Sequence, residues 1–154
     1  MVKVHRYQVC CRWSGSTAGG YDQYDRRHEV QAPPCGQELT LSSDPAFGGE
    51  PDRLNPEQLV VMAAASCQLL SFLAVAARAR LDVVSYEDEG EAEMPEEERP
   101  IRITRIVLRP RITIRGPFDD KRVRHLVEVA HRECFIANSL RSEVVVEPTI
   151  LAAS

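Results

Sequence analysis

Asn55-Pro56-Glu57, followed by the uncharged run QLVVMAAASCQLLSFLAVAA from Gln58 to Ala77, decides the fold of this chain. Asn55 is a good N-cap, Pro56 suits the first helical position, and Glu57 favours the positive end of the helix dipole. Gln58 follows the cap by three residues, as in a capping box. The pattern predicts a helix to about Ala79. Because it is apolar on every face, it must be covered on every face.

This run also has the length of a membrane span, which needs about 20 apolar residues. It is rich in alanine, however, and its flanks lack the aromatic anchors of membrane helices. The whole chain has the composition of a soluble globular protein, with 44% hydrophobic and 27% charged residues. We therefore predict a core helix and no membrane partner.

Length and charge narrow the class of protein. A chain of 154 residues predicts one domain spanning 1–154. The net charge of −4, without a basic tract, makes nucleic acid an unexpected partner.

The N-terminus shows no signal peptide and the cysteine count, five, is odd, which together indicate the cytoplasm rather than a secreted disulfide framework. Cys10, Cys11 and Cys35 lack the paired spacing of a zinc site, so no metal is expected.

The other segments predict strands and a second helix. Strands are expected over 2–13, 21–30, Glu38–Leu41, 83–94, 101–115 (with a bulge near Thr104-Arg105) and Glu143–Val146. The second helix should begin near Asp119-Asp120, and its apolar stripe comprises Val123, Leu126, Val127, Ala130 and Cys134. Asn138 and Ser139 are expected to cap or turn the chain after it. The elements together predict an α+β domain.

Two cysteines on predicted core-facing positions, Cys67 and Cys134, form a candidate redox pair. Buried free cysteine also occurs as an inert small hydrophobe, so periodicity alone leaves two unreactive core thiols as the alternative.

Longer sequence motifs support the interpretation of Cys67 and Cys134 as a redox pair. NPEQL at 55–59, ASC at 65–67 and AHRECFIANS at 130–139 resemble the OsmC/Ohr family of organic hydroperoxide reductases, as do YDRRH at 24–28, LSSDPAFGGE at 41–50 and VSY at 84–86. The similarity runs from about Trp13 to Val146. It implies an OsmC-like fold, with antiparallel sheets wrapped around two central helices in an intertwined homodimer. It also implies a thiol peroxidase that needs no metal, haem or other cofactor.

Site roles follow from the same resemblance, residue by residue. Cys67 corresponds to the peroxide-attacking thiol and Cys134 to the resolving thiol. Arg26 matches the activating arginine, with its neighbour Arg27 as the alternative, and Glu57 matches the carboxylate that orients the arginine. The sequence departs from the family pattern after Cys67, where Gln68 replaces the histidine of many relatives.

The resemblance implies reduction of organic hydroperoxides to alcohols, with a Cys67–Cys134 disulfide recycled by a dithiol, which could be a lipoylated protein or a small dithiol. Two alternatives remain open. One is a non-enzymatic domain that binds an apolar ligand, and the other is a redox sensor that reports oxidation to a partner.

Helix geometry adds a prediction about assembly. Glu57 and Cys67 lie ten residues apart, which is about 15 Å along one straight helix. One guanidinium cannot contact both over that span. If Arg26 bridges them, Glu57 and Cys67 come from different chains of a two-fold homodimer, which would also cover the remaining apolar faces of the helix.

Overall fold

A computed structural model describes residues 2–154 and divides the chain into two compact units. The first unit ends at Leu59 and the second comprises Val60–Ser154. The single domain expected from chain length stays a prediction.

The first unit is built on a three-stranded antiparallel sheet of β1 (Cys10–Arg12), β2 (His28–Gln31) and β3 (Glu38–Leu41), in that order. The prediction for β3 is confirmed. Those for 2–13 and 21–30 were too long, because alternation alone does not supply a partner strand. Residues 2–9 and 13 of the first predicted strand and residues 21–27 of the second lie outside the sheet.

Helix α1, Pro56–Arg78, begins and ends close to the predicted residues. Both hydrogen bonds of the predicted capping box are present. The Gln58 backbone N–H donates to Asn55 Oδ1 at 2.9 Å, and the Asn55 N–H donates to Gln58 Oε1 at 3.0 Å. These bonds satisfy backbone donors that the first helical turn leaves without partners, so they define the start of the helix.

We expect Asn55→Ala to lower the free energy of unfolding by about 1 kcal/mol, because the buried cap loses its acceptor. Asn55→Asp keeps the acceptor and is the matched control. Urea unfolding followed by circular dichroism measures both variants. Equal losses in the two would contradict the capping role.

The second unit holds the other strands and helices. Its elements are β4 (Asp82–Asp88), β5 (Glu91–Glu93), β6 (Arg105–Leu108), β7 (Pro110–Arg115), α2 (Asp120–Glu133), α3 (Phe135–Ser139), β8 (Glu143–Val146) and β9 (Thr149–Ala152). They form two three-stranded sheets, ordered β4-β7-β9 and β5-β6-β8. Within them β6 pairs with β8, and β7 with β9, in parallel. The α+β class is confirmed, whereas the purely antiparallel arrangement holds only for the first unit.

Two long predicted strands are each divided. The segment 83–94 forms β4 and β5, and 101–115 forms β6 and β7, which belong to different sheets. The chain changes sheets at Arg109, whose backbone N–H donates to Asp88 Oδ1 at 2.7 Å. No bulge lies at Thr104-Arg105 within the described pairings; the register shift occurs between Val83 and Ser85.

Helix α2 starts as predicted, with Asp119 as its N-cap. The stripe is confirmed as a core face, since Val123, Val127, Ala130 and Cys134 are each at most 2% exposed. The chain then forms α3, whereas Asn138 and Ser139 predicted only a cap or a turn there. One core cluster joins α1, α2 and β7 through Phe72, Val75, Ala76, Ile112, Ile114, Val123, Val127 and Ala130.

Helix α1 is buried along one stripe only, formed by Ala64, Gln68, Phe72, Val75 and Ala76. On other faces Met62 is 49% exposed and Leu70 is 64% exposed. By length and composition α1 could also cross a membrane, a test that core helices of soluble proteins pass as well. The expectation that every face is covered is therefore not met within one chain.

Candidate thiol site

Helix α1 and the junction between α2 and α3 bring Cys67 and Cys134 together in the second unit. Cys67 lies near the middle of α1 and is half-buried. Cys134 is 1% exposed and is both the C-cap of α2 and the N-cap of α3. Both thiols are free, and they lie within hydrogen-bonding reach of each other. The structure thus places side by side the two cysteines that were predicted from the sequence to form a pair.

Backbone N–H groups at the start of α3 contact the two sulfurs. The Ile136 N–H lies 3.5 Å from Cys67 Sγ, and the Ala137 N–H lies 3.5 Å from Cys134 Sγ. The Phe135 N–H and the Ser71 hydroxyl also donate to Cys67. Donors aimed at sulfur favour its charged form, so they stabilise a thiolate.

The two thiols have opposite tendencies to ionise. Burial opposes ionisation of Cys67, but hydrogen bonds from Cys134, from the Ile136 and Phe135 backbone and from Ser71 outweigh it, and its pKa is lowered. Burial, and then the bond that Cys134 donates to Cys67, raise the pKa of Cys134 to about 11. The pair therefore titrates so that Cys67 becomes the thiolate first while Cys134 stays a thiol.

We expect Cys134→Ala to raise the pKa of Cys67, because it removes the hydrogen bond that most favours the thiolate. At a fixed pH below that pKa, less Cys67 is then ionised and alkylation by iodoacetamide is slower. The pH dependence of Cys67 alkylation, followed by peptide mass spectrometry, measures the shift. Ser71→Ala should give a smaller change in the same direction, and an unchanged or lowered Cys67 pKa in Cys134→Ala would contradict the geometry.

A cavity of about 550 Å³ opens beside Cys67. Leu70 and Phe135 expose large apolar surfaces, 64% and 80%, at this cavity. Its other lining residues are Ser71, Ala74, Arg78, Glu133 and Asn138. Such a space accepts a small organic molecule next to the sulfur.

Gln68, next to Cys67, is a buried residue that links α1 to α2. Its side chain is 1% exposed, and its Nε2 donates to the Val127 carbonyl of α2 at 3.4 Å. The residue that departs from the family pattern therefore faces the core rather than the cavity, and it ties α1 to α2.

The two candidate arginines lie in the first unit and have different surroundings. Arg26 is half-buried; its Nη1 and Nη2 donate to the carbonyls of Tyr24 and Tyr21 at 3.1 and 2.7 Å. Its guanidinium carbon lies 4.2 and 4.6 Å from the centres of the two tyrosine rings. Arg27 is exposed and pairs with Glu50 at 2.8 Å, and this hydrogen bond raises its pKa.

These contacts distinguish the arginines chemically. Arg27 already has a carboxylate partner, whereas Arg26 has none among residues 2–154. Glu57 lies half-buried in the first turn of α1, and no hydrogen bond or ion pair of its side chain occurs among the described residues. The catalytic roles of Arg26 and Glu57 stay predictions.

Sequence reasoning did not include the donors around Cys67. Ser71 follows Cys67 by one helical turn, so its spacing was a usable signal. The backbone N–H groups of Phe135 and Ile136 carry no side-chain signal, and only the formation of α3 places them at the sulfur.

Comparison with known proteins now identifies the fold family. A family model described as OsmC-like protein matches residues 49–149, well over half of the chain. The chain belongs to the OsmC family. No curated protein matches this OsmC-family chain significantly.

Solved structures share the OsmC fold over nearly the whole chain. An OsmC-like protein of unknown function from Vibrio cholerae is 27% identical, with a TM-score of 0.85, and the match covers 95% of this chain and 100% of that one. An organic hydroperoxide resistance protein from Elizabethkingia anophelis is 17% identical, with a TM-score of 0.73 and coverages of 99% and 100%. One from Legionella pneumophila is 18% identical, with a TM-score of 0.70 and coverages of 97% and 99%.

Proposed function

We propose that this OsmC-family protein is a thiol-dependent peroxidase that reduces organic hydroperoxides to alcohols. The observation that carries the proposal is the pair of adjacent thiols, of which Cys67 has a lowered pKa and Cys134 a raised one. Some structural relatives are described as organic hydroperoxide resistance proteins, which supports this substrate class. The chemistry uses side chains alone and needs no cofactor.

In the first step the Cys67 thiolate attacks the terminal oxygen of the hydroperoxide. The O–O bond breaks, Cys67 becomes a sulfenic acid, and the remaining alkoxide takes a proton to leave as an alcohol. The hydrogen bonds from the start of α3 and from Ser71 hold the sulfur as the nucleophilic form before attack.

In the second step Cys134 resolves the sulfenic acid. Its sulfur bonds to Cys67, the S–O bond breaks, and the hydroxyl group leaves as water with the Cys134 proton. The raised pKa keeps Cys134 protonated until then, so that it does not compete for peroxide. A dithiol then reduces the Cys67–Cys134 disulfide by exchange.

The cavity beside Cys67 supports an organic substrate. The exposed side chains of Leu70 and Phe135 offer apolar contacts that hydrogen peroxide cannot use. We therefore expect higher kcat/KM for cumene hydroperoxide than for hydrogen peroxide.

We further propose that the active form is a cytoplasmic homodimer. The exposed apolar side chains of Met62 and Leu70 on α1, and of Phe135, support an interface between two copies. The family resemblance also carries over Arg26, whose guanidinium would activate the Cys67 thiol across this interface, and Glu57, whose carboxylate would orient that guanidinium. Analytical ultracentrifugation tests the assembly, and a fully active monomer would overturn it.

Incubation with cumene hydroperoxide and a dithiol tests the proposed activity. Repeated turnover, measured as peroxide loss in excess of the enzyme, supports the peroxidase. Oxidation of Cys67 without turnover would instead favour a redox sensor, and absence of any reaction would favour an apolar-ligand binding domain.

A further inference from the structure

Two ionisable side chains of β4, Tyr86 and Asp88, have no role in the steps proposed above. They lie two residues apart, so they point to the same side of the strand. Their register partners on β7 are Ile112 and Pro110, which are both fully buried. Glu87, between them, is exposed and points to the other side. Tyr86 and Asp88 therefore face the buried side of the sheet.

Contacts with α1 place this pair at the level of the two thiols. The Tyr86 ring centre lies 6.0 Å from that of Phe72, and a Cβ on Gly90 would lie 3.3 Å from Val61 Cγ1. From Tyr86 to Gly90 the strand covers about 13 Å, and from Phe72 back to Val61 the helix covers about 16 Å. The two elements thus run alongside each other in opposite directions. Asp88 is level with the middle of this helical stretch, where α1 carries its cysteine.

The phenol of Tyr86 also lies within electrostatic reach of Cys134. Tyr86 packs against the core cluster that includes Ala130, one helical turn before Cys134 on the buried stripe of α2. Burial, then the charge of Asp88 and then the charge of Cys134 raise the pKa of Tyr86 well above its ordinary range. The hydroxyl therefore keeps its proton, and it lies near two groups that can exchange a proton with it.

Buried polar atoms of this region lack hydrogen-bond partners among residues 2–154. They are the Tyr86 hydroxyl oxygen, Asp88 Oδ2 and Gln68 Oε1. The other carboxylate oxygen of Asp88 accepts the Arg109 N–H at 2.7 Å, so the group is held in place with one oxygen free. A buried carboxylate without a full set of partners lowers the free energy of unfolding, and such groups concentrate at functional sites.

The surroundings of Asp88 make it a better proton acceptor than an ordinary aspartate. Burial raises the pKa of Asp88, and the hydrogen bond from the Arg109 N–H lowers it by less. The Arg109 guanidinium is itself paired, with Glu91 at 2.6 Å and Glu147 at 3.2 Å. On the helical side, residues 58–77 are uncharged and α2 contributes its buried thiol. A base with a raised pKa takes a proton from a weak acid more readily.

Cys134 needs such an acceptor when it resolves the sulfenic acid. Burial, and then its bond to Cys67, raise the pKa of Cys134 to about 11, so only about one thiol in 10⁴ is ionised at pH 7. Burial remains after Cys67 is oxidised. The attacking sulfur must therefore lose its proton to a group inside the protein.

We propose that Asp88 accepts the Cys134 proton through the Tyr86 hydroxyl when Cys134 bonds to Cys67, a role that rests on the proposed peroxidase cycle. Cys134 gives its proton to the Tyr86 oxygen as Tyr86 gives its own to Asp88 Oδ2. The Cys134 thiolate attacks the sulfur of the Cys67 sulfenic acid, the S–S bond forms and the S–O bond breaks. The leaving hydroxide takes a proton from solvent and Asp88 returns one to solvent, so the net products are the disulfide and one water.

A disulfide reagent isolates this step without peroxide. In a Cys10→Ser, Cys11→Ser, Cys35→Ser background the remaining cysteines are Cys67 and Cys134. One equivalent of dithiobis(nitrobenzoate) should release a first nitrothiobenzoate as Cys67 forms a mixed disulfide with the reagent. A second should follow as Cys134 attacks Cys67 and displaces the bound half. Absorbance of the released thiolate gives the rates of the two phases.

We expect Asp88→Asn and Tyr86→Phe to slow the second phase about a hundredfold at pH 7, the low end of what a positioned base supplies, and to leave the first phase unchanged. Asparagine keeps the acceptor for the Arg109 N–H, and thermal unfolding checks that both variants are folded. Asp82→Asn is the matched control on the same strand. Its carboxylate is exposed and pairs with Arg115 at 3.3 Å, so both phases should be unchanged.

The pH dependence separates proton acceptance from a structural effect. In the parent the second phase should slow as pH falls through the pKa of Asp88, because a protonated carboxyl cannot accept. In Asp88→Asn it should instead rise with pH towards the pKa of Cys134, because hydroxide then removes the proton. The parent-to-variant ratio should therefore shrink as pH rises. A ratio that is constant with pH, a parent without a second phase, or equal second phases in the parent and both variants would overturn the proposal.

The reagent reads Cys134 without peroxide or turnover. A pH-dependent loss in Asp88→Asn, in a protein that does not reduce hydroperoxide, would reject only the proposed function. Alcohol release by the parent, with a second phase that Asp88→Asn does not slow, would reject only the role of Asp88.

Discussion

Replacing Cys67 with serine is expected to abolish hydroperoxide consumption. A serine hydroxyl has no thiolate form at neutral pH, and oxygen cannot form the sulfenic acid on which the second step depends. Cys134 cannot substitute, because its thiol is buried, and burial, the largest cause of its raised pKa, persists in the variant. Peroxide loss under excess dithiol should fall to the rate without enzyme, a decrease of several orders of magnitude.

Cys35→Ser is the matched control for this variant. Cys35 is an exposed thiol of the first unit, outside the proposed peroxidase site, and its loss should leave turnover unchanged. Thermal unfolding of both variants separates a chemical effect from loss of fold. Full activity in a folded Cys67→Ser protein would disprove the mechanism.

The sequence was most informative where local chemistry alone determines structure. Asn55 and Gln58 could be recognised as a reciprocal cap because both bonds form within one helical turn. The stripe of α2 could be recognised because a period of 3.6 residues places Val123, Val127 and Ala130 on one face. Such elements carry their own signal.

Strand partners carry no comparable local signal. The segment 101–115 alternates well apart from a change of parity near Thr104-Arg105, yet the chain leaves one sheet at Leu108 and enters another at Pro110. The parallel partners β8 and β9 follow only after the helices, so long-range pairing determines them. Proline at the start of β7 was the available clue, since it has no N–H to donate within a strand.

The two cysteines of the site could be predicted from the sequence, whereas most of the hydrogen-bond donors around them could not. Cys67 and Cys134 emerged from helical periodicity and from the family motifs, and the structure brings them together. The N–H groups of Phe135 and Ile136 became donors only because α3 follows Cys134 directly. A backbone donor has no residue type, so a sequence cannot identify it before the fold is known.

Replacing Cys134 with serine should leave one reaction with peroxide and remove turnover. Cys67 is still present, and the N–H groups of α3 and the Ser71 hydroxyl still favour its thiolate, so attack on the hydroperoxide continues. Serine cannot form a disulfide with the resulting sulfenic acid. We expect one equivalent of alcohol per Cys67 at stoichiometric hydroperoxide, and one further equivalent at each step to sulfinic and then sulfonic acid when hydroperoxide is in excess. Mass spectrometry of the Cys67 peptide after trapping with dimedone measures the sulfenic acid.

The contrast between the two cysteine variants separates resolution from attack. Cys67→Ser should release no alcohol above the background, whereas Cys134→Ser should release one equivalent in a single burst. Because the disulfide normally protects Cys67, over-oxidation should also occur at lower peroxide concentrations in Cys134→Ser than in the parent protein. Sustained turnover in Cys134→Ser would show that the dithiol reduces the sulfenic acid directly, and it would remove Cys134 from the catalytic cycle.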